Sequence, residues 1–290
     1  MALSENFAGA SVTTTTAANF IPEIWTDGIK AYLERNLVFE QCVDTSLNGL
    51  VKGNKGDTYH IPKLAEVSDA AKAAETLVTY AASTHAKADL TIDQHRYAAK
   101  LVEDIASVQS IPGLFEKEVS GMAYALAKTY DAFIESKVEA ATTNSTALGT
   151  DNVITAAEIR GGMKTLMEAD VDTNECNFVV SPALYTAMLG ISDFVDASKM
   201  GAGVSGLKNG QIGMLYGMPV LHSTVMGASG STGVEVGYIF HPSAVSAARQ
   251  LEPRVQSEYS VDFLGTKVVA DMLYGAVTVF EGRIQEFKNP

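Results

Sequence analysis

Few residues in this sequence are spaced for catalysis. Ser205 and Lys208 form an S-x-x-K pair, the spacing at which a lysine can activate a serine nucleophile. The Ser-Asp-Asn and Lys-Thr-Gly partners that complete such a site are missing. No G-x-S-x-G elbow, H-E-x-x-H or C-x-x-C occurs. The histidines, at 60, 85, 95, 222 and 241, are scattered. His85 and His95 share one segment, but no Cys or Glu joins them at metal-ligand spacing. Asp170 and Asp172 could pair as carboxylates on one strand face; they sit between a helical and an extended pattern, where Asp belongs to turns. Glu103 and Asp104 are adjacent and share no face. Gly206 to Gly213 reads GLKNGQIG. A dinucleotide site needs G-x-G-x-x-G between strand and helix and an acidic residue about twenty positions on, and both are lacking. Lys52 to Asp57 is a glycine-bearing turn with no Gly-Lys-Ser/Thr after it. The residues therefore imply no enzyme, no cofactor and no metal.

Composition narrows the classes further. The chain has 290 residues, 47% hydrophobic, enough for a sizeable core. Charged residues are 19%, and 34 acidic against 21 basic side chains leave a net charge of -13. Such a chain has no net attraction to phosphate backbones. Cys42 and Cys176 are the only cysteines, which excludes a disulfide-dense scaffold. Met1 to Thr16 has no basic n-region and no apolar h-region, so no signal peptide is expected. The apolar stretch Val268 to Phe280 is interrupted by Asp271 and is too short to span a bilayer. A cytoplasmic protein without membrane contact is the expectation, and the Asn144-Ser145-Thr146 glycosylation match then has no role.

The elements follow from periodicity. Residues 1 to 20 read as an arm. Pro22 opens a short amphipathic helix with Ile24, Trp25, Ile29, Tyr32 and Leu33 at helical spacing. Val38 to Pro62 reads as β-like and glycine-punctuated. Residues 63 to 97 are rich in Ala, Thr and charge, and large apolar side chains are sparse. A structureless stretch of that length is unusual in a compact subunit; its composition suits a long projecting hairpin whose few apolar groups are buried against another copy. Ser110 to Ala141 is the strongest helix, with Phe115, Val119, Met122, Leu126 and Phe133 on one face and Tyr130 and Ile134 widening it, roughly 45 Å long. Thr142 to Asn152 is a loop. Thr155 and Glu158 form a capping box for a helix whose face is Ile159, Met163, Leu166 and Met167. Asn177 to Val180 is a buried strand running through Ser181-Pro182 into a helix with Leu184 and Met188 inside. Glycines at 201, 203, 206, 210, 213 and 217 mark a mobile surface loop. Met218 to Leu221 and Val236 to Phe240 are strands, and His241-Pro242-Ser243 starts a short helix. From Leu251 the chain is β-rich, with a break at Gly265 and a polar end from Arg283 to Pro290.

This ordered set resembles the major capsid proteins of tailed bacteriophages, with the HK97-like capsid fold. The resemblance covers nearly the whole chain and is carried by the long helix, the core-poor loop, the Asn177 to Pro182 step, the segment ending Tyr216-Gly217-Met218-Pro219-Val220, and Tyr238-Ile239-Phe240-His241-Pro242. It implies an α+β fold with an N-terminal arm (1–37), an extended loop with flanking strands (38–100), a peripheral domain with the spine helix (101–152), an axial domain (153–250) and return strands of the peripheral domain with the C-terminus (251–290). It implies hexamers and pentamers in an icosahedral shell enclosing double-stranded DNA without sequence-specific binding, assembled in the host cytoplasm and ending in the virion capsid. Portal and decoration proteins are implied partners. No long charged helical extension precedes the arm, so the resemblance implies a separate scaffolding protein or a mature, cleaved sequence, and the leading Met favours the former. The family namesake's Lys–Asn crosslink has no matching residues here.

An arm and a loop with little core are stable where neighbours bury them, which a closed symmetric assembly provides. Net acidity suits the lining of a container, because a basic interior would hold phosphates tightly. Phe20, Trp25 and Phe39 are candidate intersubunit anchors, since aromatics give large contact area; as ordinary core residues they would instead serve the subunit alone. Gly201, Gly203, Gly206, Gly210 and Gly213 are the candidate flexible axial loop. Two other readings remain open: an encapsulin-like nanocompartment holding cargo enzymes, and a soluble α/β enzyme with an unrecognised site.

Overall fold

The computed structural model describes residues 38–52, 56–65, 69–78, 80, 82, 84–104, 114–141, 143–149, 154–191, 213–226 and 236–288, with only the backbone for 114–116. Phe20, Trp25, Ser205, Lys208, Gly201, Gly203, Gly206 and Gly210 lie outside them. In chain order the elements are α1 (Phe39–Cys42), α2 (Asn48–Val51), β1 (Thr58–Lys63), β2 (Ala86–Thr91), β3 (Gln94–Glu103), α3 (Leu114–Glu139), β4 (Ser145–Ala147), α4 (Ala156–Glu168), β5 (Asn177–Val180), α5 (Pro182–Met188), β6 (Met214–Leu215), β7 (Met218–His222), β8 (Gly237–Phe240), β9 (Val245–Ser260), β10 (Gly265–Thr278) and β11 (Ile284–Lys288). Helices and mostly antiparallel strands are mixed, an α+β fold as expected. The chain forms two compact units. Among the described residues, the first comprises 95–130 and 251–273, and the second the remainder.

The second unit is built on a six-stranded sheet in the order β4-β11-β8-β5-β7-β6. Strand β5 pairs parallel to β7 and antiparallel to β8, with Phe178 opposite Val220 and Ile239. Phe178, Val180, Ile239 and Phe287 are fully buried, and Ile159 and Leu166 of α4 and Leu184 and Met188 of α5 close the same core. Each such Phe or Leu removed from water contributes about 2–3 kcal/mol. Helix α4 starts where the capping box predicts: the Glu158 N–H donates to Thr155 Oγ1 (3.3 Å) and the Thr155 N–H to Glu158 Oε2 (2.7 Å). Its Gly162 lets the helix approach β11, for a Cβ there would lie 2.5 Å from Phe287 Cζ. The α5 start also follows the sequence, with Ser181 accepting the Leu184 N–H and Pro182 in the first turn. Between β6 and β7 the chain turns through Tyr216 (φ 50°) and Gly217 (φ 89°), the two left-handed residues of a tight hairpin.

Four expectations are corrected. Val38 to Pro62 is not β throughout but holds α1 and α2 before β1. The cause is remote in sequence: the Asp131 carboxylate of α3 accepts the N–H groups of Phe39 (3.0 Å) and Val38 (3.4 Å), supplying acceptors that α1 lacks of its own. The loop from 142 to 152 contains β4, because Ser145 to Ala147 finds a parallel partner in Glu286 to Lys288. The polar end beginning at Arg283 holds a core strand: β11 lies between β4 and β8, and Ile284, Gln285, Glu286 and Phe287 are all buried. Met167 is half exposed (52%), since Ile159, Met163 and Leu166 already complete the inward face of α4.

Helix α3 runs close to its predicted span, and Val119, Met122, Leu126, Tyr130, Ile134 and Val138 are buried at three- and four-residue steps. Strands β3, β10 and β9 form a three-stranded sheet in that order. In the first unit, Gly265 starts β10 beside β3, where a Cβ would lie 2.6 Å from the Val102 carbonyl oxygen. Strands β1 and β2 form a separate antiparallel pair, from Thr58 opposite Thr91 to Lys63 opposite Ala86.

Candidate assembly surfaces

In the second unit, β1 and β2 frame the connection 64–85. Their outer face carries a charged ladder: Asp89 meets His60 Nδ1 at 2.5 Å and Lys87 Nζ at 3.2 Å. The His60 hydrogen bond, then that of Lys87, holds the Asp89 carboxyl below the usual carboxylate range. His85 is local, its Nδ1 accepting the Ala65 N–H (3.2 Å). The connection itself exposes apolar side chains: Leu64, Leu77 and Tyr80 are 83%, 95% and 92% accessible. Water-exposed groups of this size are what another protein surface would bury.

The first unit has an apolar tip of its own. The turn Val261 to Leu264 joins β9 to β10, and Tyr259, Val261, Phe263 and Leu264 are exposed there. The Tyr259 hydroxyl donates to Asp104 Oδ2 (2.7 Å), and Lys267 lies 5.1 Å over the Phe263 ring. Behind it, Arg254 grips Asp271 with two bonds of 2.8 and 3.0 Å, and His95 Nε2 reaches the same carboxylate at 3.1 Å. The Arg254 hydrogen bond and then that of His95 hold the Asp271 carboxyl below its ordinary range. His95 thus serves an ion pair across the sheet.

Phe39 is fully buried, its ring stacked on Phe240 with centroids 6.4 Å apart. That position leaves it no surface for a neighbouring subunit; it packs α1 onto β8. Gly213 is described at the edge of β6, with open space where a Cβ would stand. Asp172 caps the turn Thr173–Glu175 by accepting the Asn174 N–H, and Asp170 takes a left-handed φ of 54°, so both acids serve turns.

One row of side chains imitates a catalytic triad and went unnoticed in the sequence. Ser243 Oγ lies 2.8 Å from His241 Nδ1, and His241 Nε2 lies 3.0 Å from Glu175 Oε2. The arrangement is a cap. His241 Nδ1 also accepts the Ser243 N–H at the start of the turn Pro242–Ala244, and Arg283 donates to Ser243 Oγ (2.5 Å). Both buried thiols are likewise inert: burial, then the Asp131 charge, pushes Cys42 up to about 12, and burial with Asp172 pushes Cys176 up to about 11. Among the described residues no three His, Cys, Asp or Glu side chains gather as a metal site, and no helix is long and apolar enough to cross a membrane.

Residues 98–283 match the family model of phage capsid proteins. No curated protein matches the sequence. Among solved structures, the chain is similar to one from Mycobacterium phage Che8, with 24% identity, 87% of this chain and 91% of that chain covered, and a TM-score of 0.72. It is similar to the capsid structure of the cyanophage P-SCSP1u at 14% identity, with 88% of each chain covered and a TM-score of 0.72. A virus-like particle from Pyrococcus furiosus shares the fold at 9% identity, with 91% of this chain and 98% of that chain covered and a TM-score of 0.60.

Proposed function

Because this chain belongs to the phage capsid protein family, whose model spans residues 98–283, and is a structural protein that forms the shell of a virion, we propose that it is the repeating unit of hexamers and pentamers in an icosahedral shell around double-stranded DNA. In that shell α3 is the spine helix, β1 and β2 with their connection are the extended loop, and residues 1–37 are the arm. Residues 153–250 form the axial domain, with its flexible loop at Gly201, Gly203, Gly206, Gly210 and Gly213. Residues 101–152 and 251–290 form the peripheral domain. The observation that carries this reading is the exposure of Leu64, Leu77 and Tyr80 on a connection with no buried side chain among its described residues. A closed lattice of identical chains covers such groups on every copy at once.

DNA is enclosed without sequence-specific contacts, in keeping with the charge of -13. A separate scaffolding protein, a portal protein and decoration proteins act with the shell, which assembles in the host cytoplasm. Phe20 and Trp25 anchor neighbouring subunits. The test is cryo-electron microscopy of purified particles together with nuclease protection of their contents. Six-fold and five-fold clusters around protected DNA support the reading. Closed shells filled with a co-purifying enzyme and no DNA would replace it with a cargo compartment.

A further inference from the structure

Helix α3 leaves one stripe open to water over its first half. Lys117, Gly121, Tyr124, Ala125 and Lys128 are exposed, while Val119, Met122, Ala123, Leu126 and Ala127 are buried on the other side of the helix. Lys117 and Lys128 are separated by close to three full turns, so they share one face, roughly 16 Å apart along the axis. Between residues 117 and 129 the only carboxylate is Glu118. It stands about a quarter turn off the stripe and is bonded to Lys100. Among the described residues neither Lys117 nor Lys128 forms an ion pair.

The stripe is low in the middle. A Cβ at Gly121 would meet nothing within 4 Å, so packing inside the subunit does not call for this glycine, which weakens a helix interior. Gly162 of α4 differs, because Phe287 occupies the space of its missing Cβ. Gly121 and Ala125 together leave a shallow seat between two cations, where a rod-shaped partner can come close to the backbone. Two unpaired cations beside a seat suit a polyanion. At 0.1 M salt, charges are screened beyond about 10 Å, so the stripe and not the net charge of -13 decides what is attracted to it. Duplex DNA carries a phosphate charge about every 1.7 Å of its axis, and flexible lysines find phosphates at any separation. An acidic protein helix would need carboxylates at matching positions.

We propose that this stripe of α3 binds the sugar–phosphate backbone of the enclosed duplex, with Lys117 and Lys128 each neutralising one phosphate across the seat at Gly121 and Ala125. Phosphate contacts carry no sequence information, which agrees with DNA held without base-specific binding. The contact rests on the shell reading above and gives the shell wall defined points at which it meets its contents.

Salt-dependent retention of free subunits on duplex-DNA cellulose tests it, with circular dichroism reading the fold. Two phosphate contacts make wild-type retention fall about tenfold between about 50 and about 200 mM NaCl. Lys117→Gln and Lys128→Gln each leave one contact, so each is held more weakly and its retention falls only about threefold to fourfold over the same range. Gly121→Glu sets a carboxylate in the open seat, favours helix over the glycine it replaces, and is not retained. Lys164→Gln, on α4 where the lysine pairs with Glu168 (3.4 Å), behaves as wild type. Wild type that passes unretained at the lower salt overturns the proposal. So do Lys117→Gln and Lys128→Gln variants that match wild type, and a loss in Lys164→Gln as large as theirs. Wild-type retention on immobilised polyglutamate but not on DNA also overturns it and gives the stripe to an acidic protein partner. Shells that close normally from an unretained chain remove this contact alone, whereas a retained chain that never closes into shells removes the shell reading.

Discussion

Asp131 makes the free subunit's stability depend on pH in an unusual direction. It is 1% exposed, and burial pushes its carboxyl up to about 6, with the nearby Glu40 charge adding and the Phe39, Val38 and Glu40 N–H groups opposing. A folded value above the unfolded one of 3.8 means that the folded chain holds the proton more tightly. Stability therefore rises as pH falls through about 6 toward 4 and is lost as pH rises again. The full span is about 3 kcal/mol at about 1.4 kcal/mol per unit, and about 1 kcal/mol of it falls between pH 7 and pH 5. The perturbation is Asp131→Asn, which removes the titration. Its amide oxygen keeps the Phe39 N–H bond while its NH2 faces the Val38 N–H, so the absolute stability shifts as well; the slope carries the test. The assay is urea unfolding of free subunits at pH 7, 6 and 5. Groups that do not interact with Asp131 contribute equally to both proteins and cancel in the difference, whereas Glu40, paired to Arg249 at 2.6 Å, interacts with Asp131 and stays in it. Wild type should gain about 1 kcal/mol more than the variant on going to pH 5. Equal slopes for the two proteins would refute the reasoning.

Other perturbations separate folding from assembly. Gly275→Ala drives a Cβ into the Thr91 carbonyl and to 3.0 Å from Ile92 Cα; backbone cannot yield as a side chain does, so a loss of about 3 kcal/mol or an insoluble subunit is expected in urea unfolding. Arg254→Met leaves the Asp271 carboxylate, 9% exposed, with His95 alone, lowering stability by about 2 kcal/mol. Because Asp271 is held below its ordinary range, that difference is complete above about pH 4 and shrinks below it, which unfolding at pH 7 and pH 3 checks. Leu77→Ser with Tyr80→Ser should change subunit stability by less than about 0.5 kcal/mol yet reduce the assembled fraction seen by sedimentation. Trp25→Ala should leave the subunit folded and make shells less resistant to heat and denaturant; unchanged resistance removes Trp25 from the anchors.

Local signals were the legible ones. Thr155 with Glu158 and Ser181 with Pro182 each specify their own cap within a few residues, and each stands where the sequence places it, whereas Gly217, expected in a mobile surface loop, belongs to the tight β6–β7 hairpin. The face of α3 is legible because its 3.6-residue period persists over seven turns. What escaped depends on distant partners. The α1 helix exists through an acceptor ninety-odd residues away on Asp131. Strand β11 hides behind the polar letters Gln285, Glu286 and Lys288, of which Gln285 and Glu286 are buried because Gln285 bonds Thr146 and Glu286 pairs with the half-exposed Lys288. The assembly surface shows the same split. The shortage of large apolar residues in 63–97 agrees with the exposure of Leu64, Leu77 and Tyr80 there, but the stacking of Lys63 and Arg283 on Phe280 joins positions more than two hundred residues apart, and no spacing rule could have found it.

The most direct test of the shell assignment is negative-stain electron microscopy of the purified full chain, expressed with and without the neighbouring candidate scaffolding protein. Uniform closed shells tens of nanometres across are the predicted result, with a single diameter that bounds the subunit number. A monomer with a radius of gyration near 19 Å under both conditions would contradict the account.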